Sequence, residues 1–260
     1  GADRGEAGRD YKINSSQASA GVATPWGSLS YGKQYTVMTN YAWSLVNPIA
    51  QGWGVYFNDP LYAGDSFLYG NQNEDDLKLA GANFFLGYDQ TGLVYQLQGE
   101  TFSVEVDYIP GGTFSRNDGS TRGVGASKTL GDVTALAAYT KQNSAEDASN
   151  RVNKAVGLAW QLVPAVRLSV GKLESEVSFG GQYDMQYGGA GWQATEKLHL
   201  SIGLSNYRQN ELSGLGVGKS KGGAVVAEYA WTENTTWYAE FDRRRYQGAD
   251  DGLQTVFDGR

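Results

Sequence analysis

The 260-residue chain has no cysteine, only one histidine and only five prolines. Without cysteine, neither a disulfide framework nor thiolate chemistry is available. The net charge of −7 at pH 7 argues against a nucleic-acid partner, because nucleic acids bind basic surfaces. Long apolar runs are also missing, since no stretch approaches the roughly 18 consecutive apolar residues of a membrane helix. These absences argue against a disulfide-stapled domain, a nucleic-acid-binding domain and a helical membrane protein.

Glycine and aromatic residues are abundant instead, with 36 Gly, 17 Tyr and 7 Trp. The mean hydropathy of −0.44 is typical of a water-soluble protein. A membrane β-barrel has a similar average, because its strands alternate lipid-facing and water-facing residues. High glycine, tyrosine and tryptophan contents with little proline fit such a barrel better than an ordinary soluble domain.

Period-2 alternation runs through most of the sequence. Leu198, Leu200, Ile202 and Leu204 share one face of a predicted strand, and His199 lies on the opposite face. Strict alternation of this kind indicates a strand with one face in an apolar medium. The pattern predicts about twelve strands, at residues 17–28, 28–36, 77–89, 101–110, 121–130, 132–141, 153–163, 165–174, 183–194, 197–208, 222–232 and 235–246.

Aromatic rings often end the apolar faces, as in an aromatic girdle of a membrane barrel. The rings are those of Tyr108, Tyr139, Trp160, Tyr229, Trp231 and Trp237. Short turns are predicted at residues 24–27, 130–131, 163–165, 195–197 and 232–234. Longer polar loops are predicted between them, at residues 111–120, 142–153, 174–182, 209–221 and 247–260. This alternation of short turns and long loops is typical of an outer-membrane barrel.

One long connection, residues 36–76, shows no sustained alternation. It is rich in aromatic residues, including Tyr41, Trp43, Trp53 and Tyr56. A connection of this length is usually functional or disordered, and its aromatic content argues against disorder. So many rings need a confined place to pack, and the inside of a barrel is one such place.

Three segments resemble the general diffusion porins of Gram-negative bacteria. The first is the strand Gly27–Tyr35, which leads into the long connection. The second is Asn47–Pro48 with Gly52–Trp53–Gly54, and the third is the hairpin Tyr229–Tyr238. The resemblance implies an all-β fold, a transmembrane antiparallel β-barrel of about 16 strands with a third loop folded into the lumen. It also implies a trimer. Residues 1–260 are then one porin domain, with residues 36–76 as the constriction loop.

Against the family pattern, three strands are absent at the front and one at the back. Residues 1–14 resemble an outer loop, and residues 248–260 resemble the last outer loop. A closed barrel of about twelve strands is physically possible, since even strand counts from 8 upward occur. We expect the missing-strand interpretation rather than a closed twelve-stranded barrel.

The resemblance implies a constriction with basic residues on the wall and acids on the loop. Lys33 occupies the position of one wall base, and Lys78 is a candidate for a second. Lys33 would share an inward face with Leu29 and Tyr31, while Ser28, Ser30 and Gly32 face a neighbouring subunit. The family's two loop carboxylates do not carry over, which leaves Asp59 and Asp65 as the candidate acids. Trp53 and Tyr56 are candidate constriction aromatics, able to stack on sugars.

Charged residues on the polar faces of the strands are expected to line the lumen and to tune ion selectivity as a group. They are Arg167, Glu228, Glu240, Asp242 and Arg244. His199 is also expected in the lumen. No Gly-x-Ser-x-Gly motif, phosphate loop or metal-ligand spacing occurs, so we expect neither an enzyme nor a cofactor nor a metal.

The sequence therefore predicts an outer-membrane porin, a water-filled channel for passive diffusion of ions and small hydrophilic solutes. The expected partners are outer-membrane lipid and lipopolysaccharide, two further copies in a homotrimer, and the solutes themselves. Two alternatives stay open. One is a sugar-selective porin of the same fold, and the other is a soluble secreted β-sandwich that binds carbohydrate.

Overall fold

The computed structural model describes residues 18–34, 36–38, 40–41, 90–110, 120–143, 150–177, 181–212, 216–233, 235–247 and 252–259. These residues form thirteen β-strands. In chain order they are β1 (Ala18–Thr24), β2 (Gly27–Gln34), β3 (Gln90–Gln98), β4 (Phe102–Ile109), β5 (Thr121–Leu130), β6 (Val133–Gln142), β7 (Arg151–Val163), β8 (Val166–Val177), β9 (Gly181–Gln193), β10 (Leu198–Leu212), β11 (Gly216–Thr232), β12 (Thr235–Gln247) and β13 (Gly252–Gly259).

The strands form one antiparallel sheet in which each strand pairs with the next along the chain. β1 and β13 are the edges, so the described sheet is open. The pairing runs almost without interruption, for example over ten consecutive partners between β5 and β6. A meander of neighbouring strands is what short connections produce, because two strands joined by a tight turn must pair antiparallel.

The two faces of the sheet differ in side chains and in exposure. The outer face carries large exposed apolar side chains, among them Val22, Leu93, Tyr95, Val106, Tyr108, Val124, Val156, Leu158, Val170, Ile202, Leu204, Val225 and Phe241. The inner face carries buried polar or small side chains, among them Glu105, Asp107, Thr140, Asn153, Ser169, Ser175, Ser201, Ala155 and Ala224. This arrangement inverts that of a water-soluble protein, and it suits a sheet whose outer face lies in lipid.

Short turns close the sheet at one end, where the sequence predicts them. Thr24 and Gly27 flank the first turn, and the Thr24 hydroxyl donates to the Gly27 carbonyl oxygen over 2.9 Å. Gly27 has a φ of +125° and Gly131, in the turn after β5, has a φ of +59°. Only glycine adopts such angles readily, which explains its place in both turns. A further short turn at residues 99–101 joins β3 to β4.

The predicted strands are confirmed, except that residues 77–89 lie outside the described residues. Two strands are additional: β3 at Gln90–Gln98 and β13 at Gly252–Gly259, where a loop was expected. The predicted loop at 209–221 was also wrong in extent, because β10 continues to Leu212 and β11 begins at Gly216. In β13 the inner-face position Val256, opposite Asp242, interrupts the apolar alternation, so the pattern does not separate this strand from a loop.

Within the described residues, no helix is long and apolar enough to cross a membrane.

Candidate functional site

A helical turn directly after β2 is bound to the inner face of the sheet. Val37, Met38, Asn40 and Tyr41 have helical backbone, and the Asn40 N–H donates to the Thr36 carbonyl oxygen over 3.0 Å. Val37 and Met38 are 0% and 1% exposed. An isolated turn of this length is not stable in water, so its tertiary contacts must hold it.

The first of these contacts is made by Asp107 of β4. The Val37 N–H donates to Asp107 Oδ2 over 2.7 Å, and the Asp107 side chain is buried. The first N–H groups of a helix have no partner within the helix, and a carboxylate there also interacts favourably with the helix dipole. Asp107 therefore acts as an N-terminal cap supplied by a distant strand.

Two further contacts fix the other end of the turn. The Asn40 side-chain amide donates to Glu105 Oε1 over 2.7 Å. The Tyr41 hydroxyl lies 2.9 Å from Ser103 Oγ, which in turn lies 2.8 Å from Ser127 Oγ on β5. Backbone and side-chain groups of the turn are thus hydrogen-bonded to three consecutive inner-face positions of β4.

Glycines on β5 make room for the turn. Gly125 pairs with Glu105, and Gly123 pairs with Asp107. A Cβ at Gly125 would lie 2.6 Å from ring carbons of Tyr41 and 2.8 Å from Val37 Cγ1. Contacts under 3.0 Å are not found for real Cβ atoms. The turn therefore sits directly on the backbone of β5, and any side chain at Gly125 would displace it.

The structure places Lys33 on the opposite face from the one expected. Lys33 pairs with Ala18 and Thr91, and it shares its face with Leu29 and Tyr31. Leu29 and Tyr31 are 46% and 54% exposed and pair with exposed apolar residues of β3, so this is the outer face. The expectation that these three residues point into the lumen was therefore wrong.

Ser28, Ser30 and Gly32, which were expected to face outward, lie on the inner face. The Ser30 hydroxyl donates to Gln34 Oε1 over 2.7 Å, and the Gln34 amide donates to the Gly92 carbonyl oxygen over 3.0 Å. A Cβ atom built at Gly92 would lie 2.7 Å from Cγ1 of the buried Ile109. Gly92 and its strand partner Gly32 therefore lie on the inner face. The expectation came from the family pattern, whereas the pairing register fixes the face.

Five predicted constriction residues, Lys78, Asp59, Asp65, Trp53 and Tyr56, lie outside the described residues. The predicted lumen-lining residues fall on inner-face positions. Arg167 pairs with Gly191 of β9, next to the buried Ser169. In β12 the register assigns Glu240, Asp242 and Arg244 to the inner face, paired with Val226, Ala224 and Gly222.

The single histidine lies on the inner face with a carboxylate partner. His199 Nδ1 is 3.1 Å from Glu228 Oε2, and both side chains are mostly buried. The two residues are paired across β10 and β11, near the end of the sheet that carries the short turns. Within the described part of the chain, no group of three or more His, Cys, Asp or Glu is placed to hold a metal ion.

The residues that hold the turn were not predicted as site residues. Glu105 and Asp107 alternate with apolar residues, so by themselves they look like ordinary lumen-facing acids. The available signal was their combination with Gly123 and Gly125, two glycines on the polar face of the following strand. Such glycines indicate that another part of the chain approaches the backbone closely. Which part approaches could not be found from the pattern.

Comparison with known proteins agrees with this geometry. The model of the Gram-negative porin family matches residues 2–249. Among solved structures, the OmpT loop L8 deletion mutant of Vibrio cholerae matches with a TM-score of 0.63 and 16% identity, covering 91% of this chain and 76% of that chain. The anion-selective porin from Comamonas acidovorans matches with a TM-score of 0.63 and 12% identity, covering 93% and 72%. Salmonella typhi OmpF in complex with daunomycin matches with a TM-score of 0.66 and 16% identity, covering 86% and 69%.

No curated protein matches the chain in sequence. At the identities of the solved structures, the likeness shows the fold, which is that of a porin barrel. The family match covers nearly the whole chain and gives the function class, an outer-membrane porin channel. Nothing in these comparisons supports a soluble β-sandwich. With an apolar outer face, a polar inner face and this match over residues 2–249, the chain belongs to the Gram-negative porin family.

Proposed function

We propose that this porin is a passive diffusion channel whose narrowest part is formed by residues 36–76 against the inner face of the barrel. The observation that carries the proposal is the helical turn that starts this segment. It is hydrogen-bonded to the inner face through Asp107 and Glu105 rather than extending away from the sheet. A segment that begins against the inner face has the water-filled lumen beside its first turn.

The strength of the contacts supports a fixed constriction rather than a moving gate. Hydrogen bonds to charged groups contribute roughly 1.5–3 kcal/mol each, and those of Asp107 and Glu105 are shielded from water. The buried contacts of Val37, Met38 and Tyr41 add to them. Size exclusion and the charges along the lumen then select solutes, with no conformational cycle.

Within this proposal, Asp59, Asp65, Lys78, Trp53 and Tyr56 are the candidate lining residues of the constriction. Lys33 is left out of this proposal, because it shares its face of β2 with the exposed Leu29 and Tyr31. The predicted lumen-lining charged residues would contribute the rest of the electric field that acts on solutes, as rings of charged side chains do in other channels.

We also propose that the channel is a homotrimer. One solved structure of the same fold is described as the trimer form of OmpT from Vibrio cholerae, with a TM-score of 0.60 and 16% identity. The measurement is gel mobility: an unheated sample should migrate as a trimer in SDS, and a boiled sample as a monomer. A monomer before heating, in protein that still conducts in bilayers, would contradict the trimer.

The constriction is tested by releasing its first turn. In Asp107→Ala the Val37 N–H loses its partner, so the turn should detach and the pore should widen. Liposome-swelling assays should then admit larger sugars than the wild type admits, and single-channel conductance in planar bilayers should rise. Asp107→Asn keeps an acceptor oxygen and should stay close to the wild type.

Glu228→Ala is the matched control. It also removes an inner-face carboxylate, but on β11 and away from the turn. It should alter ion preference without changing the size limit for sugars. An unchanged size limit in folded Asp107→Ala protein, or an equal increase in Glu228→Ala, would reject the proposed constriction. In the same bilayers, current block by low concentrations of an oligosaccharide would favour the sugar-selective alternative.

A further inference from the structure

His199 is the single histidine among the 260 residues, and the chain has no cysteine. An imidazole is the one side chain whose ordinary charge changes between about pH 5 and pH 8, since carboxylates titrate below that range and tyrosine, lysine and arginine above it. A change in the charge of this chain within that range is therefore expected at one side chain. The position of His199 in the barrel determines what that change does.

The histidine lies at the mouth of the lumen where the short turns are. His199 is the second residue of β10, which begins at Leu198, and it lies on the inner face. It is paired with Glu228 of β11 on one side and with Gln193 of β9 on the other. The turn between β9 and β10 directly precedes it. Ions that enter or leave the lumen at this end therefore pass the imidazole.

The hydrogen bond between the two side chains determines where the neutral imidazole carries its hydrogen. His199 Nδ1 lies 3.1 Å from Glu228 Oε2. An ionised carboxylate only accepts hydrogen bonds, so Nδ1 must donate while the imidazole is neutral. The second ring nitrogen, Nε2, is then the one that takes up a proton on acidification. This protonation needs no rearrangement, because Nδ1 donates to Glu228 in both states.

The pair is partly shielded from water but not closed off from it. The exposed fractions of the side chains are 18% for His199 and 13% for Glu228. The next inner-face residue along β10, Ser201, is 5% exposed. The Gln193 amide donates to the Thr195 carbonyl oxygen over 2.7 Å, so the turn and not the histidine holds it. The imidazole can therefore exchange a proton with water while Glu228 stays beside it.

The other charged groups near the pair lie further along the wall or in the turns. Arg167 of β8 lies two strands from His199 and one inner-face position further from the turn. On β12 the register places Tyr238 opposite Glu228, and Glu240 one inner-face position further on. Among the described side chains, Glu228 is the one carboxylate within ion-pair distance of His199. The adjacent turns carry three exposed charged residues, Glu196, Lys197 and Glu233.

The net charge of the pair depends on this one proton. With a neutral imidazole the pair carries the negative charge of Glu228, and with a protonated imidazole the two charges cancel. In water, a unit charge about 7 Å from a passing ion changes the local concentration of that ion by about twofold to threefold, in opposite directions for cations and anions. Salt in the lumen reduces this effect. A change of about twofold in the ratio of cation to anion passage is therefore expected.

We propose that the His199–Glu228 pair gives the channel a pH-dependent cation preference at its short-turn mouth. Near pH 8 the charge of Glu228 attracts cations, and near pH 5.5 the imidazolium cancels that charge. The pair acts on ion selectivity, not on the size limit for solutes, and no segment of the chain has to move. The proposal rests on the porin lumen and not on the proposed constriction, so Asp107→Ala should keep the pH dependence.

The test measures reversal potentials in planar bilayers of an uncharged lipid under a KCl gradient, at about pH 8 and about pH 5.5. In the wild type, the ratio of cation to anion permeability should be about twofold lower at the acidic pH. His199→Gln should keep the higher ratio at both pH values, because Glu228 stays charged. Glu228→Gln should lower the ratio at the higher pH. It should still show a decrease on acidification, because the imidazole then adds a positive charge.

Arg167→Gln is the matched control, because it removes a nearby inner-face charge without changing the pair. It should raise the cation preference at both pH values and keep the step between them. Heat-dependent gel mobility reports whether each variant is folded. Because the chain has one histidine, nitrogen NMR of protein labelled with ¹⁵N-histidine reports this side chain alone. It should show hydrogen on Nδ1 at the higher pH and on both ring nitrogens at the lower pH.

Three results would overturn the proposal. One is a wild-type selectivity that does not change with pH or that changes in the opposite direction. Another is an imidazole that keeps one protonation state across the range. The third is a full step in folded His199→Gln protein, which would assign the titration to another group, such as the buried Glu105 or Asp107.

Discussion

Strands β1–β5 and strands β6–β12 share the same alternation of apolar and polar side chains, but their unusual residues lie on opposite faces of the sheet. In β1–β5 the distinctive groups lie on the inner face, where Glu105 and Asp107 are buried beneath a helical turn. In β6–β12 the distinctive side chains lie on the outer face. There an apolar groove over Gly188, lined by Val156, Leu158, Val170 and Leu204, lies near the exposed cations Arg208, Lys219, Lys221 and Arg243. Alternation determines which face meets lipid. The departures from it are buried acids in the first part, which hold the helical turn, and exposed cations in the second.

The sharpest contrast between the two parts is between Gly125 and Gly188. Gly125→Val should be the most damaging substitution, because its Cβ would lie 2.6 Å from the Tyr41 ring. Overpacking of this kind costs roughly 1–3 kcal/mol or more. Gly188→Val should be neutral or slightly stabilising, because there is space and valine favours a strand. The measurement is the temperature at which the compact gel form converts to the unfolded form. Equal transition temperatures for the two variants would show that the space at Gly125 is no more restricted than the space at Gly188.

A smaller effect is expected at Glu105. Glu105→Ala leaves the Asn40 amide without its acceptor and should destabilise the protein by about 1–3 kcal/mol. Glu105→Gln keeps an acceptor and should recover much of this loss. Asn40→Ala combined with Glu105→Ala should cost less than the sum of the two single changes, because the groups interact directly. If the cost of the double variant equalled the sum of the two single costs, the contact between Asn40 and Glu105 would contribute nothing to stability.

Most of the fold could be predicted from the sequence because a lipid-facing strand must alternate. Runs such as Leu198–Ser205 are unambiguous, since every second side chain meets an apolar medium. In β3 the inner face includes Val94, which weakens the alternation and explains why this strand was missed. In β13 the inner-face position Val256, opposite Asp242, weakens the alternation in the same way. The pairing of β10 with β11 continues to Leu212 and Gly216, through residues whose sequence shows no sustained alternation.

The site could be predicted less well, for a different physical reason. Asp107 and Val37 are 70 positions apart in the chain, and no local pattern states that they meet. The error at Lys33 has a related origin. The face of the sheet on which Lys33 lies follows from the pairing of β2 with β3. The resemblance to a family did not give that pairing. The groove at Gly188 likewise exists only because five strands bring small and large residues into register.

A third prediction concerns the hydroxyl pair between the turn and β4. Tyr41→Phe removes a hydrogen-bonding group but keeps the ring that covers Gly125, so it should cost about 0.5–1.5 kcal/mol. Tyr41→Ala should cost more, because it also removes the packed ring. Gel-transition temperatures of the two variants separate the contribution of the hydroxyl from that of the ring. If Tyr41→Phe and Tyr41→Ala behaved alike, the ring would have no role in holding the turn.

The smallest effect is expected from the ion pair of Lys154 with Glu176, on the outer face of β7 and β8. The two groups lie 2.7 Å apart, but both side chains are about half exposed, at 43% and 49%. Exposed pairs contribute about 0–1 kcal/mol, since water and salt screen them and ordering the long side chains costs entropy. A double-mutant cycle with Lys154→Gln and Glu176→Gln should therefore give a coupling near the lower end of that range, and one that falls further in high salt. The buried contacts of Asp107 and Glu105 should keep their effects at the same salt concentration. A coupling as large and as salt-resistant as theirs would mean that burial does not distinguish the two parts of the barrel.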